Sequence, residues 1–151
     1  MRATRVFTVL AAVAAIGVAC GNDTTGIPTG VEIFVANLNG ANERPTPVTT
    51  TATGRAVITV LGNLVSWKVD VTGIDSTTVG HIHKGVADST GSPIVTFTVT
   101  ASGLNFTGTV ATGSATVADS VLTLMRAQRA YVNIHTKKNG GGEIRGQTVK
   151  Q

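Results

Sequence analysis

From Val31 onward, apolar residues recur at every second position in short runs broken by Gly, Asn, Pro and Asp. Such alternation puts one set of side chains on each face of an extended strand, and so predicts half-buried β-structure. Residues 31–35 open the series, and the proline-bearing segment 38–47 follows as a predicted loop. Ala56, Ile58 and Val60 then alternate with Arg55, Val57 and Thr59. Across Leu61-Gly62-Asn63 comes the clearest strand, with Val65, Trp67, Val69 and Val71 opposite Ser66, Lys68 and Asp70. These two runs predict a hairpin, with Trp67 as a core anchor.

Further alternation marks 79–84, 94–99, 105–111, 131–136 and 143–149. Between them the pattern breaks once, where Asp119 precedes a Leu/Met/Ala/Gln run. That predicts a short helix over 119–128 with Asp119 as its cap. The expected fold is all-β: a Greek-key sandwich or barrel of seven to eight strands with one short helix, in a single domain over 31–151.

The amino terminus has another character. Arg2 and Arg5 precede an apolar run closing on Ala19-Cys20, which reads as an export signal over 1–19. The run falls short of the about 20 apolar residues that a membrane span needs. Cys20 is the only cysteine, and Val18-Ala19-Cys20 resembles a bacterial lipoprotein signal in which the cysteine is lipidated. Residues 20–30 are polar, rich in Gly and Thr, and read as a flexible tether. The expected location is the cell envelope, on the outer membrane where one exists, with a lipid anchor as the membrane contact. Losing the leader removes two of twelve basic residues against eight acidic ones, so the remaining domain is nearly neutral. Scattered basic residues and few aromatics argue against a nucleic-acid surface.

All three histidines lie in alternating runs. His81 and His83 are two apart and share a strand face, opposite Ile82. His135 sits opposite Val132 and Ile134. If the two strands are neighbours, the three imidazoles meet on the outer face beneath the loops, a donor set suited to Cu or Zn. Glu43, Glu143 and Arg145 are further candidates for structural or ligand contacts, and Glu143 with Arg145 reads as a same-face ion pair. No catalytic residue is assigned. No nucleophile elbow or phosphate-binding glycine loop is present, and the cysteine lies outside the domain.

Along the chain stand Leu38-Asn39-Gly40-Ala41-Asn42-Glu43-Arg44-Pro45, Gly54-Arg55-Ala56, His81-Ile82-His83, Tyr131-Val132-Asn133-Ile134-His135-Thr136 and Gly142-Glu143-Ile144-Arg145-Gly146-Gln147. In these motifs and their order the chain resembles the CHRD (chordin-type) domain family. The resemblance implies an extracytoplasmic β-sandwich acting as a non-enzymatic binding or structural module, with an extracellular protein or other envelope ligand as partner. A weaker likeness is to Cu/Zn superoxide dismutase, in which a His-x-His pair, a later His and an Arg serve the copper site. The matching residues here would be His81, His83, His135 and Arg145, which implies a copper-binding or redox alternative. Against it, the chain has no fourth histidine to bridge two metals and no cysteine pair, and Gly80 directly precedes His81.

Overall fold

The computed structural model describes residues 30–151; the predicted export signal, Cys20 and nearly all of the tether lie outside the described residues. Nine strands run β1 (Val31–Asn39), β2 (Thr53–Leu61), β3 (Leu64–Ile74), β4 (Thr77–Lys84), β5 (Pro93–Phe97), β6 (Phe106–Thr116), β7 (Ala130–Thr136), β8 (Ile144–Gln147) and β9 (Val149–Lys150). Among the described residues one α-helix, α1, spans Asp119–Arg126. The strands form one antiparallel sheet in the order β5-β4-β7-β8-β1-β2-β3-β6, with β9 beside β1. The sheet curls almost into a closed barrel, and Thr100 N–H donates to the Val110 carbonyl across the remaining seam at 2.7 Å.

The inner face takes the alternate positions that the pattern marks. Phe34, Ala36 and Leu38 meet Ala56, Ile58 and Val60, then Val65, Val69 and Val71, while Ile82, Val132, Ile134 and Ile144 line the opposite wall. Trp67 is buried, as expected of a core anchor, and its ring stacks on Phe97 with centroids 4.6 Å apart. That contact joins β3 to β5 through the interior, where no backbone ladder does so. Leu122 and Met125 of α1 add to the same core, and Arg126 pairs with Glu32 of β1 at 2.5 Å.

Several boundaries differ from the sequence pattern. β1 continues to Asn39 because Leu38 is a core residue paired with Gly54. A 3-10 turn over Gly40–Asn42 follows. β6 runs on to Thr116, past the predicted 111, because long β3 offers a ladder partner as far as Leu64. Its last residues carry no large apolar side chain: Gly113 lies beneath Trp67, where a Cβ would come 2.9 Å from the indole. Asp119 is the first residue inside α1 and not its cap; Ala118 holds the cap position without a side-chain bond. The Asp119 carboxylate accepts from Asn63 instead, at 2.6 Å. The last strand is split because Thr148 turns inward, giving both its N–H and its hydroxyl to the Ala130 carbonyl.

Replacing Phe97 by Ala removes the ring that Trp67 stacks on. The expected loss is about 3–5 kcal/mol of unfolding free energy. A red shift in the emission of the single tryptophan should accompany it; unchanged emission would show that Trp67 is held by other neighbours.

Candidate functional site

β4 and β7 are direct antiparallel neighbours, and their register sets His81 opposite Asn133, His83 opposite Tyr131, and Val79 opposite His135. Strand parity then turns Ile82, Val132 and Ile134 inward, all fully buried, and the histidines outward. The three rings meet. His81 lies 5.1 Å from His83 and 5.0 Å from His135 between centroids, and His83 lies 5.8 Å from His135. One nitrogen from each ring falls within 4.8 Å of the others. The outer face is not open to water here, since loops roof it. His83 and His135 are 8% and 7% exposed, and only His81 is half-exposed at the rim.

Two glycine carbonyls fix the tautomers. His83 Nδ1 lies 2.8 Å from the Gly91 oxygen, and His135 Nδ1 lies 3.0 Å from the Gly140 oxygen. A carbonyl can only accept, so each Nδ1 carries its proton and each Nε2 keeps a lone pair. His135 Nε2 then accepts from His81 Nδ1 at 3.1 Å. His83 Nε2 is buried and has no partner. Gly91 reaches its place only because it has no side chain, as a Cβ would come 1.9 Å from the Lys84 oxygen. Burial pushes all three imidazole pKa values down, and His81 falls to about 4 with help from His135 and His83. The Gly91 and Gly140 carbonyls oppose the shift at His83 and His135. Neutral imidazoles are the form that ligates a metal.

The other candidates sit on this face, but not as an ion pair. Glu143 accepts from Thr50 and Thr136 at 2.7 Å and from Asn139 at 2.8 Å. Burial would raise its pKa, yet these bonds hold it below the usual carboxylate range. Arg145 is 2% exposed and gives Nη2 to the carbonyls of Val86, Ala87 and Ser89. The expected Glu143–Arg145 pair is therefore corrected: both side chains are buried, and each finds partners on a different loop. Arg145 also lies over the Tyr131 ring at 3.5 Å, while His83 stacks on that ring with centroids 4.9 Å apart. Sequence reading passed over Tyr131 and Asn133, although both share His135's parity. Gly91 and Gly140 act through their carbonyls and leave no signal in residue type.

Glu43 is 3% exposed and accepts from Asn133 Nδ2 at 3.2 Å. Its Oε1 and Asn133 Oδ1 are both buried without partners. Gly142 packs against the two groups, where a Cβ would come 2.6 Å from Asn133 Oδ1 and 2.8 Å from Glu43 Oε1. A neutral Glu43 carboxyl resolves both unpaired atoms, because its proton can go to Asn133 Oδ1. Burial raises the Glu43 pKa from 4.5 to about 7, against the opposing pull of Asn133 and Arg145, with Glu143 adding to the rise.

Among known families, the CHRD domain model matches residues 34–148, a span that includes every side chain of this face. No curated protein and no solved structure matches the chain.

Between pH 4.5 and about 7 the folded chain holds a Glu43 proton that the unfolded chain releases. Stability from this group therefore falls as pH rises through that window. Glu43→Gln should remove the fall, raising Tm by about 4 °C or more at pH 8 and leaving it nearly unchanged at pH 4.5. Thermal scans at both pH values check this; an equal effect at both would show that Glu43 is ionised throughout.

Proposed function

The chain belongs to the CHRD domain family, and on that premise we propose that it is a non-enzymatic envelope module whose histidine cluster holds one transition-metal ion. One observation carries the metal part: His83 Nε2 is buried, unpartnered and kept as a lone pair by the Gly91 carbonyl. Leaving such an atom unsatisfied costs about 1–3 kcal/mol, and a bound ion would satisfy it. Metal-bound histidines commonly give their other nitrogen to a carbonyl or carboxylate in this way. His83 and His135 would bind through Nε2, and His81 through Nδ1 after moving its proton to Nε2. The His81–His135 nitrogen separation of 3.1 Å already suits two ligands of one ion. Closing the widest gap of 4.8 Å onto bonds of about 2.0–2.1 Å requires ring shifts of roughly 1–1.5 Å. The donor set suits copper or zinc.

The envelope part rests on the sequence before the domain. Export by residues 1–19 and lipidation at Cys20 would tether the barrel to a membrane through the polar segment that follows. No helix among the described residues is long and apolar enough to cross a membrane. The partner of such a module would be an extracellular protein or another envelope ligand. The half-exposed rim at His81 favours a second reading, in which copper held there exchanges electrons with solutes.

Metal analysis of the full chain from metal-replete cells, beside His83→Ala, tests the site. About one ion per chain is expected in the parent and less than a tenth of that in the variant; equal content in both would sink the site. Fractionation of cells making Cys20→Ala tests the anchor. The parent should partition with membranes and the variant should not be processed, whereas identical behaviour would remove lipidation from the proposal.

A further inference from the structure

We propose that the three-histidine centre selects monovalent copper, Cu(I), over divalent zinc. This rests on the metal reading above and deepens it. The charge surrounding the cluster carries the inference. All three donors are neutral imidazoles, and among the described residues no carboxylate or thiolate joins them. The groups holding the rings are also uncharged: Gly91 and Gly140 carbonyls stand where a carboxylate would lend a ligating histidine negative charge. Glu143 spends its oxygens on Thr50, Thr136 and Asn139 and touches no ring nitrogen.

Two fixed charges lie near the site: Glu143, held by Thr136 and Asn139, and Arg145, the one that stacks on a ring touching a ligand. Tyr131 is sandwiched between His83 on one face and the Arg145 guanidinium on the other, so a buried cation stands one aromatic ring from a ligand. Arg145 has no carboxylate within salt-bridge distance among the described residues. Its contacts are three backbone carbonyls and an aromatic face.

A dication brought to this place from water loses more solvation than a monocation and is repelled twice as strongly by Arg145. Nothing in the cluster returns that energy to it. Zinc would keep a net charge of two on three neutral ligands, whereas Cu(I) would keep one. Imidazole ligates either metal readily, so donor type does not decide between them. Charge does.

The test uses the full chain, stripped of metal. Cu(I) affinity is read by competition with a chromophoric Cu(I) chelator under anaerobic ascorbate, and Zn(II) affinity by competition with a zinc-sensitive dye. Cu(I) should bind at least 100-fold more tightly than Zn(II). A second variant adds the missing negative charge. Thr96 is exposed and pairs with His81 across β4 and β5, so Thr96→Asp puts a carboxylate beside the rim ligand without disturbing the core. It should narrow the Cu(I) preference by about 3- to 10-fold, chiefly by tightening zinc. Zinc binding as tightly as Cu(I), or a ratio that Thr96→Asp leaves unmoved, would overturn the inference while leaving the metal site standing. Binding of neither ion would overturn the site itself.

Discussion

Carbonyl oxygens of Val86, Ala87 and Ser89 converge on Nη2 of Arg145. Buried carbonyls need donors, and a buried guanidinium needs partial negative charge around it; each requirement answers the other. Arg145 issues from β8, so this exchange fastens the 85–91 loop onto the barrel wall. The loop then delivers Gly91, whose N–H reaches the Tyr131 hydroxyl at 3.2 Å and whose oxygen accepts from His83 Nδ1–H. The solvation of one cation thus orients an imidazole on a different strand. Without it, the outer face of β4 and β7 would lie open to water, and His83 would have no preferred tautomer.

The rest of that face follows the same rule. Asn133 faces Glu43, Thr136 and Asn139 serve Glu143, and Gly140 serves His135. The outward side chains of β7 are therefore polar by sequence and buried in the fold. A face of this kind is expensive to assemble, since every unmatched group carries a desolvation penalty. Its two matched glutamates also part company in ionisation. Three hydrogen bonds keep Glu143 charged, and burial with a single amide partner favours the neutral form of Glu43.

Alternation alone made the core walls and the shared face of His81, His83 and His135 legible, because the period of two is imposed by the pleat. The meeting of β4 with β7 was legible only as a condition, since nothing local in either strand encodes its neighbour. The Glu143–Arg145 pair failed for a related reason. Parity places both on one side of β8, but the 40–50, 85–92 and 137–142 loops reach that side first and offer closer partners. Residue type says nothing about a glycine oxygen, so Gly91 and Gly140 stayed invisible. Thr148 was also hidden, being an ordinary alternating position until its hydroxyl turns back to Ala130.

The seam between β5 and β6 bears on how easily the barrel opens beside His81. β5 is five residues long, its ladder with β4 shifts register between Ile82 and His83, and just past its end Thr100 gives a single described backbone bond to β6. Inside the barrel it is anchored by Val95, buried in the core, and by Phe97 against Trp67. Such a strand can peel away at a fraction of the free energy of global unfolding. Peeling would bare the flank of β4 at His81 while β7, β8 and the Arg145 clamp stayed folded. Opening beside the cluster would then have a free energy of its own, so the flank of His81 could loosen often in a protein that is slow to unfold.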